Sequence, residues 1–303
     1  MSDHLDFNGT ITLRPELLGG WSSLNFIGVM GNRNKFILKF PPQLDGTDFS
    51  RLYSIHESLS SHGICSRPLQ VGTLGTKEEV PYLILEYEEG TIFANPNEIK
   101  EQHFNKLKET LSTLSEIEIQ NLRTSNSAKE YVDQLVSSLK RKRSKWKNEL
   151  TLSLRDSLDL FMANVQDVKD IISDASWNPV TIHGDLYERN IVFQADRVVL
   201  LDLDECCVAD KFYDLVYLFT QSYTTERIRR DHYAKKGIAD GHWHNLELVA
   251  LVSVISWSFK WLIEMMLGRS EPNLEKIVNI PEVEDYVNDK MRLLSNIIQT
   301  ENP

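Results

Sequence analysis

Along the first ninety residues the apolar positions come in short, strand-like runs. Leu24–Met30 and Lys35–Phe40 are apolar and β-prone, and Gly31-Asn32-Arg33-Asn34 between them is turn chemistry, so the spacing predicts a hairpin. Pro41-Pro42 ends the second strand. Asp48 then reads as the N-cap of a helix reaching about Ser61, because Phe49, Leu52, Ile55 and Leu59 recur at helical spacing. His62-Gly63 closes it. Two more strands follow, near Leu69–Leu74 and Tyr82–Tyr87. Strand, strand, helix, strand, strand is enough for a compact unit with its own small core.

From about Asn97 the period becomes helical. Phe104, Leu107, Leu111 and Leu114 mark one helix, Tyr131, Leu135 and Leu139 a second, and Leu154–Ile172 a third. A β-rich island interrupts them at Val180–His183, Ile191–Phe193 and Val198–Leu201, after which helical patterns resume. The segment LELVALVSVISWSFKWLIEMML, residues 246–267, is apolar enough to raise the question of a membrane span. Glu247, Lys260 and Glu264 interrupt it, so it reads as a buried helix and no membrane contact is expected. The pattern therefore predicts an α+β chain: a β-rich unit over residues 1–90 and a larger, mainly helical one over residues 91–303.

Composition narrows the function classes. A chain of 303 residues has room for two lobes around a cleft. A net charge of -11 argues against general nucleic-acid binding, which needs a basic surface, and mildly favours neutral or cationic partners. The one basic cluster, KRKRSKWK at residues 140–147, reads as a solvated helix face. Cys65, Cys206 and Cys207 make neither a disulfide framework nor a zinc site, and the opening MSDHLDFNG does not read as a signal peptide. A cytoplasmic setting is expected.

The island carries the chemistry: His183-Gly184-Asp185-Leu186-Tyr187-Glu188-Arg189-Asn190, then Leu201-Asp202-Leu203-Asp204. Phosphoryl transfer requires a γ-phosphate held in line, metal to neutralise its charge, and a carboxylate to align the acceptor hydroxyl. Asp185, on a loop after a strand, suits the last task. Asn190 can offer its amide oxygen to a magnesium ion, and Asp202 can bridge that metal and the phosphates. A two-strand hairpin between Asn190 and Asp202 would return both to one end.

HGDLYERN followed by LLDLDECCVADKFYDLVYL resembles the signature of the aminoglycoside phosphotransferase and choline kinase superfamily, which has a protein-kinase-like fold. The resemblance implies two lobes, ATP and Mg2+, a catalytic Asp185, metal-binding Asn190 and Asp202, a structural His183, and an Asp214 that braces the loop. Leu203 stands where the family usually has Phe or Trp, and Lys211 where proline is common. By the same resemblance Lys39, in the strand Phe36-Ile37-Leu38-Lys39-Phe40, holds the α- and β-phosphates. Glu57, the only acid in the middle of the next helix, would hold the lysine, although His56 and Ser54 are neighbours that compete for the cleft side. Gly19-Gly20-Trp21-Ser22-Ser23 resembles the nucleotide-covering loop, and Glu86, Tyr87 and Glu88 the hinge whose backbone pairs with adenine.

These readings imply an ATP-dependent kinase of a small hydroxylated molecule: an amino alcohol, an aminoglycoside or a sugar-like acceptor. Two alternatives stand beside it, a protein kinase and a nucleotide-binding protein without catalysis. The interval from Asp202 to Asp214 is short for an activation loop and no Ala-Pro-Glu follows; no Walker motif is present either. Asp204, Glu205 and Asp210 are candidates for binding a cationic acceptor, with metal support and backbone bracing as the competing roles. Trp243, His244, Trp257 and Trp261 are candidate pocket walls or plain core.

Overall fold

The computed structural model describes residues 12–14, 24–30, 34–41, 49–74, 79–93, 98–146, 148–221, 237–267 and 280–301. The Gly31-Asn32-Arg33 turn and the Asp48 cap lie outside them. The chain divides into two units, one of residues 1–123 with 181–207, the other of residues 124–180 with 208–303. It passes between them within strand β6 (Pro179–Ile182) and strand β9 (Cys207–Asp210).

The first unit is built on a five-stranded antiparallel sheet of β1 (Thr12–Arg14), β2 (Leu24–Met30), β3 (Asn34–Phe40), β4 (Pro68–Leu74) and β5 (Val80–Glu86), in the order β1-β2-β3-β5-β4. Alternation along β3 sends Phe36 and Leu38 to one face, where they join Tyr82 and Ile84 of β5, with Phe26, Phe40 and Leu69 packed around them. Lys39 and Ile37 take the other face and pair across to Leu83 and Leu85. Pro68 occupies the first position of edge strand β4, where a missing N–H costs no ladder bond. Helix α1 (Phe49–Ser60) lies against β4 and β5, burying Phe49, Leu52, Ile55, His56 and Leu59. Helix α2 (Glu101–Ser115) packs on strand β8 (Val198–Leu200), which forms a tight hairpin with β7 (Ile191–Phe193). The hairpin also meets the end of β5: Thr91 bridges Phe193, and Glu88 is held by Arg197 and Gln194. The expected order of elements is thus present, with β1 and β9 added. Both are short strands that periodicity does not separate from loop.

The second unit holds α3 (Ala128–Trp146), α4 (Leu152–Ile171), α5 (Tyr213–Gln221), α6 (Asp240–Met266) and α7 (Ile280–Glu301). Helix α6 is long and apolar enough to cross a membrane, yet 78% of its most apolar window is buried in this unit against α3, α4, α5 and α7. That is a core helix. Within the basic cluster at the end of α3, Lys142 pairs with Glu264 of α6 and Arg143 with Asp159 of α4, while Lys140, Arg141 and Lys145 are exposed. All three cysteines are buried and none is in a disulfide.

One position tests the sheet packing directly. Gly28 pairs with Phe36 across β2 and β3, and a Cβ there would lie 2.1 Å from the Phe36 ring. Gly28→Val should therefore destabilise the protein by about 1–3 kcal/mol, the usual cost of overpacking. Denaturant unfolding would show it as a lower midpoint with an unchanged slope.

Candidate active site

Every residue of the HGD loop is fixed by a local cause. Gly184 has φ +85°, and a Cβ on it would approach the Glu205 carbonyl oxygen to 2.4 Å, so the position is closed to a side chain twice over. His183 is fully buried and works as a spacer. Its Nδ1 accepts the Asp185 N–H at 3.2 Å, which leaves Nε2 to carry the proton and donate to the Leu201 carbonyl at 2.7 Å. One neutral imidazole thereby ties the start of the loop to the residue before Asp202. Asp185 itself is half-buried.

Asn190 ends a 3-10 turn, Glu188–Asn190, and its Nδ2 donates to the Asp185 carbonyl at 3.0 Å. The Asn190 carbonyl receives the Leu201 N–H at 2.9 Å, so the β7–β8 hairpin does bring the two ends together. Asp202 follows in the left-handed region, φ 57° and ψ 67°, an uncommon conformation for a residue with a side chain. A second 3-10 turn, Leu203–Glu205, comes next, anchored by the buried Leu203.

Lys39 closes the site. Its Nζ lies 2.9 Å from Asp202 Oδ1 and 3.3 Å from Asp204 Oδ1, with 4% of the lysine side chain and 21% of each carboxylate exposed. Burial alone would lower the ammonium pKa. The two carboxylates outweigh burial and hold it well above its ordinary value. Lys39 stays charged.

Glu57 does not hold it. The register of α1 turns His56 into the core and leaves Glu57 exposed. His56 Nδ1 faces the Ser66 carbonyl at 2.9 Å, while its buried Nε2 has no partner in the structure. Burial pushes the His56 pKa down to about 4, and the Lys39 charge pushes the same way. Arg51, one turn earlier, reaches the loop after Asp202 instead: Nη1 to the Asp204 carbonyl at 3.3 Å and Nη2 to the Cys206 carbonyl at 2.9 Å. Nothing in the sequence distinguishes this arginine from any solvent-facing helix residue.

The other expected residues separate. The Glu86 N–H is taken by the Arg67 carbonyl at 2.9 Å, and its side chain by the Arg67 guanidinium. Glu88 is bound to Arg197 at 3.0 Å, and Lys35 lies over the Tyr87 ring. Glu205 pairs with Arg123 at 3.4 Å. Asp210 is fully buried: Oδ2 accepts the Asn178 N–H, and Oδ1 accepts the Phe212 N–H and faces His242 Nε2. It braces backbone and is closed to an acceptor, which corrects the cationic-pocket expectation for this residue. Asp214 is buried in the first turn of α5. Trp243 is core, Trp257 and Trp261 are half-buried, and Lys260 covers the Trp257 ring. Ser22 and Ser23 lie outside the described residues.

The donor set suits a hard divalent cation. Donation from Nδ2 to Asp185 orients the Asn190 amide so that Oδ1 is the atom left for a ligand, and Asp202 adds a mostly buried carboxylate. Among the described residues no group of three or more His, Cys, Asp or Glu side chains is placed to hold a metal.

A small antiparallel sheet and a larger helical region, with a buried strand lysine against an Asp-containing hairpin loop, define a kinase-like fold. The chain belongs to the phosphotransferase enzyme family, whose model matches residues 15–248, and so is a phosphotransferase acting on a hydroxyl group. Solved structures agree on the fold. A protein assigned as an aminoglycoside phosphotransferase from Ralstonia eutropha JMP134 is 12% identical with a TM-score of 0.67, over 98% of this chain and 94% of that one. Choline kinase LicA from Streptococcus pneumoniae is 16% identical with a TM-score of 0.58, over 96% and 94%. Spectinomycin phosphotransferase APH(9)-Ia, in complex with ADP and spectinomycin, is 13% identical with a TM-score of 0.60, over 96% and 94%. No curated protein matches the chain in sequence.

His56 offers a pH test. In the unfolded chain it takes a proton near its ordinary value of 6.5, and in the folded protein only near 4. Its contribution to stability is therefore complete above about pH 6.5 and is lost as pH falls towards 4, at about 1.4 kcal/mol per pKa unit. Unfolding free energies measured from pH 7 to pH 4 should fall less steeply for His56→Gln than for the wild type.

Proposed function

We propose that the chain is an ATP-dependent kinase that transfers the γ-phosphate to a hydroxyl of a small molecule such as an amino alcohol, an aminoglycoside or a sugar-like acceptor, and that it works in the cytoplasm. One observation supports this above the rest: the charged, buried Lys39 sits against Asp202, on the same hairpin that orders Asp185 and Asn190. Residues 1–90 would serve the nucleotide and residues 91–303 would supply the catalytic loop and the acceptor walls. The complexes of similar proteins with ADP, and with ADP and hygromycin B or spectinomycin, favour a nucleotide and a polyhydroxylated acceptor here too.

In this reading Lys39 binds the α- and β-phosphates, and Asn190 and Asp202 hold magnesium. The metal, when bound, neutralises charge on the transferring phosphoryl group. Asp185 accepts the proton of the acceptor hydroxyl as its oxygen bonds to the γ-phosphorus and the bond to the bridging oxygen breaks, so ADP leaves. His183 keeps the loop in register. With the Glu86 amide occupied, adenine pairing falls to the Tyr87 and Glu88 backbone. The cation-binding role is withdrawn from Asp210, and Glu205 would have to leave Arg123 to take it, so any acceptor ammonium must be met elsewhere.

Asp185→Asn should lower turnover by about 100- to 10,000-fold and leave ATP affinity nearly unchanged. Release of ADP from Mg-ATP, measured against amino alcohols, aminoglycosides, amino sugars and neutral sugars, tests both the activity and the acceptor class. An Asp185→Asn enzyme that keeps most of its turnover would refute the assignment. Asp202→Ala should abolish the magnesium dependence of nucleotide binding, with Asn190→Ala doing so more mildly, because a carboxylate is the stronger ligand for a hard cation. Wild-type binding that ignores magnesium would rule out the two-ligand site.

A further inference from the structure

Helix α1 presents no inward carboxylate, yet Lys39 is a buried ammonium that needs one. Of its two partners, Asp202 is the one that a magnesium ion would claim, and a cation on that carboxylate would repel the lysine it now attracts. Asp204 is the other anion, 3.3 Å away on the far side of the buried Leu203. Its backbone is held independently. Arg51 donates to the carbonyls of both Asp204 and Cys206, so one guanidinium spans the 3-10 turn that carries the carboxylate.

Resting on the kinase reading, we infer that Asp204 is the standing counter-ion of Lys39 through the catalytic cycle, and that Arg51 is the positioning residue that keeps it there. The role a helix glutamate would play is thus moved to the loop after Asp202. The helix retains its link to the lysine through Arg51 and the turn, by way of backbone carbonyls and not by an ion pair. Asp204 is on this account neither an acceptor-binding group nor a metal ligand.

Three properties follow for nucleotide binding, read as the Kd for ADP with and without magnesium. Asp204→Asn should weaken ADP by about 10-fold without magnesium, where Asp202 still pairs with the lysine, and by up to about 100-fold with it, the range for loss of a charged hydrogen-bond partner. Combined with Lys39→Met, it should add almost nothing, because both remove the same pair. Asp204→Glu should recover part of the loss, and Arg51→Gln should reproduce it at about 2- to 10-fold, with Arg51→Lys intermediate. Circular dichroism checks the fold of each variant, and if Asp204→Asn does not fold, Asp204→Glu and Arg51→Gln still carry the comparison.

A loss that appears only with magnesium would make Asp204 a metal ligand and overturn the inference. So would full additivity with Lys39→Met, or an equal loss in Glu57→Gln. If Lys39→Met and Asp202→Ala themselves leave ADP binding unchanged, the kinase reading falls and the inference with it. If those two weaken binding and Asp204→Asn does not, only the inference falls.

Discussion

An ammonium with 4% of its side chain in solvent remains charged only if anions replace the water it has lost, and at Lys39 those anions come from a segment 163 residues further along the chain. Removing one partner from such a pair leaves a buried charge uncompensated, which is why the pair constrains everything around it. The β3 register must turn Lys39 away from the Phe36 and Leu38 face. The hairpin must deliver Asp202 and Asp204 to the same place. Both conditions are met by backbone pairings that owe nothing to the charges: Lys39 opposite Asn25 and Leu83, and Ile191 opposite Leu200.

The loop segments depend in turn on that placement. Asp202 adopts a left-handed backbone that costs about 1–3 kcal/mol for a residue with a side chain, and such strain persists only where the surroundings over-determine it. Here they do. Leu201 is bonded on both sides, its carbonyl to His183 and its N–H to Asn190, and the residue after Asp202 is sealed in the core. The same bonds set the HGD loop, since the His183 ring that meets Leu201 also receives the Asp185 N–H. Asp185, Asn190, Asp202 and Lys39 are therefore joined by one continuous set of contacts.

The second unit shows the converse economy. Its acids near the motif are structural: Asp210 satisfies two backbone N–H groups and faces His242, and Asp214 is buried at a helix start. A fully buried carboxylate has to find donors of its own, and backbone N–H groups are the nearest ones. Proximity in sequence to Asp202 therefore says little about what the following acids touch.

How much was legible from the sequence follows from the range of the forces involved. Strand and helix identity, the hairpins and the buried character of α6 are written in local periodicity and turn chemistry, whereas the kinase-like fold and the phosphotransferase class followed from the resemblance of the HGD and Asp202 motifs to a known superfamily. The apolar face of α1 was legible as Phe49, Leu52, Ile55 and Leu59, but not which polar neighbour joins it: Glu57 and His56 are one position apart, about 100° of rotation, and packing against β4 and β5 buries His56 and leaves Glu57 exposed. Arg51 was invisible, and Asp204 was visible only as a candidate for other roles, because their partners lie more than 150 residues away and a pairing at that separation exists only after the chain has folded. The residues expected to carry chemistry were named from sequence; which carboxylates lie against Lys39 only the tertiary structure decided, because charge compensation acts through space.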